Sequence, residues 1–222
     1  YLDGFYLDRH ELTWKDFLLF CKSTGHPYPP EPEWGIHPQH PVVNITFMDA
    51  NDYAKWADKR LPTEAEWEKA ARGGFKIPAW NIHQVPIPLV LNPYPKRMYP
   101  WGDSLPHMES HFGCNYVAHD HWKKRSEDGH LYTSPVGSFA GGISPYKCLD
   151  MAGNVWEWCR DNYSPDFYEH CLHANPVHLD SSNRRVLRGG SWFNFAEGCR
   201  TTRRYSAMEN EKFPWAGVRM AK

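Results

Sequence analysis

Cysteine and histidine are the side chains that could hold a soft metal or attack a substrate, and this 222-residue chain has six of one and thirteen of the other. The thiols, at Cys21, Cys114, Cys148, Cys159, Cys171 and Cys199, form no Cys-x-x-Cys pair and no zinc-finger spacing. A chain of this size can build a core without disulfides, so free buried thiols are the expectation. His119-x-His121 and His170-x-x-His173 have ligand-like spacing, with His107, His111 and His178 as further imidazoles. An imidazole pair in a polar loop is more often solvated than ligating. No Ser/His/Asp order, phosphate loop or His-Glu-x-x-His supports another catalytic class. The other chemistry on offer is recognition. Trp192-Phe193-Asn194-Phe195-Ala196-Glu197-Gly198, Tyr205-Ser206-Ala207-Met208 and Phe213-Pro214-Trp215 mix aromatics with Asn, Ser and Gly. That mixture suits a binding surface, because aromatic rings supply contact area at little entropic cost. Ordinary core packing of Phe193, Phe195, Phe213 and Trp215 is the competing reading.

Elements of mixed type must position these groups. A net charge of −1 gives no electrostatic ground for a nucleic-acid or membrane-surface partner. No apolar run approaches the ~18 residues of a membrane helix. With 11 Trp, 12 Tyr, 11 Phe, 19 Pro and 16 Gly, the composition reads as a loop-rich fold pinned by aromatic anchors. Phe5 to Thr13 alternates apolar and polar residues and predicts a half-buried strand. Thr13 then caps a helix whose apolar face is Trp14, Phe17, Leu18 and Cys21. Val42-Val43-Asn44-Ile45 predicts a short strand, and Thr46 opens a second helix carrying Tyr53, Ala54 and Trp56. Thr63-Glu64-Ala65-Glu66 is a capping box for a third, which Gly73-Gly74 ends. From Gly74 to about Pro135 periodicity fades into loops, and short strands follow Ser134. No repeat or linker divides the chain, so residues 1–222 read as one domain.

Several blocks in order carry a family resemblance. They are Phe5 to Phe17, then His40-Pro41-Val42 through Arg60-Leu61-Pro62-Thr63-Glu64-Ala65-Glu66-Trp67-Glu68 to Arg72-Gly73-Gly74, then Tyr99-Pro100-Trp101-Gly102. Met151-Ala152-Gly153-Asn154-Val155-Trp156-Glu157-Trp158, Arg185-Val186-Leu187-Arg188-Gly189-Gly190-Ser191-Trp192 and Gly217-Val218-Arg219 complete the set. Together they resemble the formylglycine-generating (sulfatase-modifying factor) family. The resemblance implies an α+β, C-type-lectin-like fold low in regular structure, with a small twisted antiparallel sheet and flanking helices. Family members usually have a Gly-rich strand before the point where this chain opens, at Tyr1, so the resemblance also implies a trimmed N-terminus.

Calcium is implied as well. A first site maps onto the side chains of Asn115 and Asp128 with the carbonyls of Tyr116 and His130. A second maps onto the side chains of Asp150 and Glu157 with the carbonyls of Gly153 and Val155. Oxygen donors of these types suit Ca²⁺, although Asp128-Gly129 is also an ordinary turn dipeptide and Glu157 could pair with an arginine. In the family's enzymes two cysteines after the Gly-Gly-Ser hold Cu(I) and oxidise a substrate cysteine with O₂. Here Asn194 stands at the first position and Cys199 at the second. A carboxamide is a hard, neutral ligand and Cu(I) selects sulfur, so copper is not expected, and Cys199 is catalytic only if the chain is an enzyme. The segment 185–219 is also similar to the variable proteins of diversity-generating retroelements, which keep both ends of this segment and vary its middle. The expected function is therefore binding of a protein or other macromolecular ligand through Phe193, Asn194, Phe195, Glu197, Gly198, Tyr205, Ser206, Met208, Phe213 and Trp215. The alternatives are a divergent copper or iron oxidoreductase of the family, and a noncatalytic accessory domain of a larger protein.

Overall fold

Three helices begin with a threonine whose hydroxyl accepts a backbone N–H that the first turn would leave unpaired. The computed structural model describes residues 1–81, 85–105, 113–116 and 128–222. Helix α1 (Trp14–Thr24) starts at Thr13, whose Oγ1 accepts the Asp16 N–H, and ends at Gly25 with φ +77°. Helices α2 (Phe47–Trp56) and α3 (Glu64–Arg72) each carry a full capping box, Thr46 with Asp49 and Thr63 with Glu66. Such a cap is worth about 1 kcal/mol. The buried face of α1 is Trp14, Phe17, Phe20 and Cys21. It packs with Val42, Val43, Ile45 and Trp158 in the main apolar cluster, where full burial of each large side chain contributes roughly 1.5–3 kcal/mol.

The central strand is β3 (Trp156–Asn162), buried along nearly its whole length. After the β1 (Lys76–Pro78) and β2 (Leu89–Leu91) hairpin, the sheet orders β5 (Arg204–Met208), β4 (Arg184–Arg188), β3 and β6 (Ala216–Gly217). Pairs β5·β4 and β4·β3 are antiparallel, while β6 joins β3 in parallel, so the sheet is mixed. Its register sets Glu157 opposite Arg188 on one side and Gly217 on the other.

Three expectations need correction. Phe5 to Thr13 forms no continuous strand. It runs beside the C-terminal segment through single bonds (Tyr6 N–H to Lys222 O, Asp8 N–H to Met220 O, Leu12 N–H to Val218 O) and an isolated bridge from Leu7 to Ala221, while Thr13 bridges to Pro41. Val42-Val43-Asn44-Ile45 is buried but not a strand, because Asn44 sits at φ +58° and bends the chain out of the extended region. The β1–β2 hairpin falls inside the stretch read as loop.

Candidate functional site

Beside the starts of β3 and β5 the chain builds an open cavity of about 840 Å³. Its walls include Trp156, Phe193, Asn194, Phe195, Tyr205 and Trp215. Phe193, Phe195 and Tyr205 keep 48, 40 and 42 % of their surface exposed, so these rings are surface and not core. Tyr205 packs against Trp156 and edge-on to Trp215, and Trp215 stacks on Phe213 at 4.2 Å. The aromatic wall continues from Phe193 through Trp192 to Trp34 and Tyr132.

Asn194 anchors the floor. Its Oδ1 accepts from the Trp156 indole N–H at 2.8 Å, the Ser191 hydroxyl at 2.9 Å and the Ser191 N–H at 3.1 Å. The carboxamide that displaces a thiolate thus has a structural task, tying the turn after Gly189-Gly190 to β3. Gly190 permits that turn: at φ +77° a Cβ there would lie 2.8 Å from the Gly198 carbonyl and 2.9 Å from Cys199 Sγ.

Of the ten expected ligand contacts, Phe193, Asn194, Phe195, Glu197, Gly198, Tyr205 and Trp215 line the cavity. Ser206, Met208 and Phe213 do not. The Ser206 hydroxyl accepts from Arg184, and Phe213 backs Trp215 against the main core. Sequence reasoning missed Trp156, Tyr163, Arg200, Arg203 and Arg204, which also line it. Trp156 lies in a block read for its family likeness alone, and the arginines follow Cys199 in a run that was left without a role. Arg204 is held by both oxygens of buried Glu64, at 2.7 and 2.9 Å, and Glu64 also meets Arg188 at 2.6 Å.

Cys199 is not a solitary thiol. It shares a buried cluster with Cys114, Tyr99, Tyr116, Ala152 and Ala196. Burial, then its hydrogen bond to Cys199, pushes the Cys114 thiol well above its ordinary range. Both thiols lie within the protein and neither lines the cavity. The contact joins residues far apart in sequence, so spacing could not reveal it. The six cysteines carry no disulfide, and Cys171 alone is partly exposed. His170 and His173 are exposed, while His107, His111, His119 and His121 lie outside the described residues. Among the described residues no group of three or more His, Cys, Asp or Glu has metal-site geometry.

The oxygen ligands expected for calcium divide into two cases. In the first set, Asp128 accepts the Tyr116 and His130 N–H groups at 3.1 and 2.9 Å, which draws those two residues around its carboxylate. Asn115 donates Nδ2 to the Tyr132 carbonyl at 2.7 Å and leaves a buried Oδ1 without a partner. An orphaned amide oxygen beside a carboxylate fits a hard cation. In the second set, Asp150 also leaves a buried oxygen, Oδ1, orphaned. Glu157 does not fit that set as a side-chain ligand. Its oxygens accept from Arg219 at 2.6 Å each and from the Trp67 indole at 2.7 Å. Gly153 joins the two sets: at φ +77° its backbone comes so near Asn115 that a Cβ would sit 2.1 Å from the Asn115 carbonyl. Burial, then the charges of Asp150 and Glu157, holds the Glu11 carboxyl well above its usual range, and burial likewise raises Asp150.

Residues 1–222 match the sulfatase-modifying factor enzyme 1-like domain. The formylglycine-generating enzyme of Streptomyces coelicolor is 40% identical over 161 residues, which cover 70% of this chain and 43% of that protein. The chain therefore spans less than half of that relative's length. In structure the chain is similar to PvdO from Pseudomonas aeruginosa (TM-score 0.72, 24% identity, 98% of this chain and 79% of that one). It is also similar to Treponema denticola variable protein 1 (TM-score 0.69, 20% identity, 99% and 84%). The fold is thus the expected α+β, lectin-like one. The chain belongs to the sulfatase-modifying factor, or formylglycine-generating enzyme, family.

Proposed function

We propose that the chain is a binding module that presents the aromatic cavity of segment 185–219 to a protein ligand. One observation carries this reading: Phe193, Phe195 and Tyr205 stay exposed around one open cavity, on a frame whose turn is fixed by Asn194. Exposed aromatics in a concave site are the usual anchors of binding energy. The structural likeness to a variable protein supports a finer reading, in which the chain is a retroelement-diversified display protein whose residues 193–216 vary between copies. A neighbouring reverse-transcriptase gene and a near-copy of the segment encoding Arg185 to Arg219 would support that reading; absence of both would count against it. Calcium bound at the Asn115, Tyr116, Asp128 and His130 set would order the loops behind the cavity.

Panning a displayed peptide library on the chain tests the binding reading. Binders should be enriched, and Tyr205→Ala or Phe193→Ala should weaken them at least about tenfold. Binders indifferent to every cavity substitution would overturn it. A second reading, a divergent oxidase, is favoured by the 40%-identical formylglycine-generating enzyme. That reading needs Cys199 to reach a substrate, whereas its thiol lies beneath the cavity floor beside Cys114.

A further inference from the structure

The cavity walls carry three guanidiniums, Arg200, Arg203 and Arg204, and only the last is paired. Arg204 donates Nε and Nη2 to the two oxygens of Glu64 and Nη1 to the Ser164 carbonyl. Among the described residues, the Arg200 and Arg203 side chains have no hydrogen bond or ion pair. Arg203 is exposed. Arg200 is half-buried, and its Nε–H lies out of water with no acceptor. A buried donor without a partner is unfavourable, because it loses hydration and gains no bond in exchange.

A fixed frame holds that donor at the cavity. The Arg203 N–H donates to the Arg200 carbonyl at 3.0 Å, so the two arginines end one tight turn leading into β5. Thr201, inside the turn, is fully buried. Its N–H donates to the Met98 carbonyl at 2.8 Å, its hydroxyl to the Arg97 carbonyl at 3.0 Å, and its own carbonyl accepts from Arg188. A site set before its ligand arrives loses little freedom on binding. Charge narrows the choice of ligand. With Arg204 paired to Glu64, Arg200 and Arg203 stand against one acid among the lining residues, Glu197. The surplus is a single positive charge, which a carboxylate matches and a phosphate dianion exceeds.

We propose, resting on the binding reading above, that the cavity takes a protein segment with an Asp or Glu beside an apolar side chain. The carboxylate accepts from Arg200 Nε and one terminal amino group as a bidentate pair, and Arg203 adds charge from the other end of the turn. The apolar neighbour lies against the exposed rings of Phe193, Phe195 and Tyr205. The cavity's 840 Å³ falls within the ~300–1,000 Å³ of pockets that enclose a small ligand. It therefore holds a few side chains of a partner.

The test pans a random peptide library on the whole chain. Each binder is then synthesised with its acid intact, as the amide (Asn or Gln), and as phosphoserine. Fluorescence polarisation measures all three on the wild type, Arg200→Gln and Tyr205→Ala. The acid-to-amide change should weaken wild-type binding at least about tenfold, and binding to Arg200→Gln less than about twofold. Peptides weakened by Tyr205→Ala but indifferent to both charge changes would overturn the proposal and leave the binding reading standing. A phosphoserine peptide at least about tenfold tighter than its carboxylate form would do the same. Peptides indifferent to every cavity substitution, or no enrichment at all, would overturn both. Should Arg200→Gln fail to fold, crystals of the wild-type chain with the tightest peptide decide. Peptide carboxylate oxygens about 2.7–2.9 Å from Arg200 Nε and Nη are expected. A carboxylate left in solvent, or paired with Arg203 alone, would overturn the proposal.

Discussion

The buried ionic frame and the aromatic cavity share β3 and β5 and obey opposite rules. In the frame, carboxylates meet guanidiniums at close range: Glu157 with Arg219, Glu64 with Arg188 and Arg204, Glu68 with Arg188. In the cavity, rings stay exposed and Arg200 and Arg203 have no ion pair among the described residues. A buried charge must be matched where it stands, so frame positions tolerate little change. A ring at the rim of an open cavity is held by few neighbours, so its identity is free to serve a ligand. The contrast separates the positions that hold the fold from those that leave it free to vary.

Breaking the frame should have the largest effect. Glu157→Gln leaves Arg219 without its carboxylate in a dry site and should cost about 3–5 kcal/mol of stability, read as the free energy of denaturant unfolding. A loss below about 1 kcal/mol would mean that the pair is solvated. Tyr205→Ala should behave in the reverse way. Ligand binding should weaken by about 2 kcal/mol or more, measured by calorimetry with a selected peptide, while loss of the two ring contacts lowers stability by only about 1–2 kcal/mol.

Smaller changes sharpen the same division. Thr63→Ala removes the hydroxyl that caps α3 and should cost about 1 kcal/mol in thermal or urea unfolding, without altering cavity binding. His40, outside the ionic pairs, tests burial of a titratable group by pH. Burial first, then the nearby His37 and His130, lowers its imidazole to about 4, with Nδ1 on the Thr133 hydroxyl at 2.9 Å. The unfolded chain takes up the proton near 6.5 and the folded chain does not until about 4. Stability from this group is thus present above pH 6.5 and is lost as pH falls toward 4. Partial exposure screens the effect to less than about 2 kcal/mol. Unfolding curves of His40→Asn between those pH values should be flatter than those of the wild type.

Local signals were legible in the sequence wherever one residue could satisfy a nearby backbone group. Thr13, Thr46 and Thr63 each announced a helix start, and Gly25 and Gly73 stand at the matching ends. Contacts between distant segments were not legible. Cys114 meets Cys199 because the Gly-Gly turn after β4 folds back beside the loop before β3, and Glu11 meets Asp150 because the N-terminal segment runs beside the C-terminal one, whose Arg219 bonds the carbonyls of Asp8, Arg9 and Asp150. Glu11 did leave one trace, an acid in the same alternating phase as Phe5 and Leu7. The alternation there was misread as a strand, because the segment pairs with the C-terminus residue by residue without a continuous ladder. At Asn194 the substitution was visible, but its bonds to Trp156 and Ser191 were not, since Trp156 comes from another strand.

The central claim is that the scaffold grips a ligand and does not oxidise one. Cu(I) titration of the reduced chain, with a cysteine-containing peptide and O₂ supplied and the peptide followed by mass spectrometry, tests it most directly. The account predicts no tight thiol-dependent copper uptake and an unchanged peptide. Stoichiometric submicromolar uptake with oxidation of the peptide cysteine, both abolished by Cys199→Ala, would contradict it.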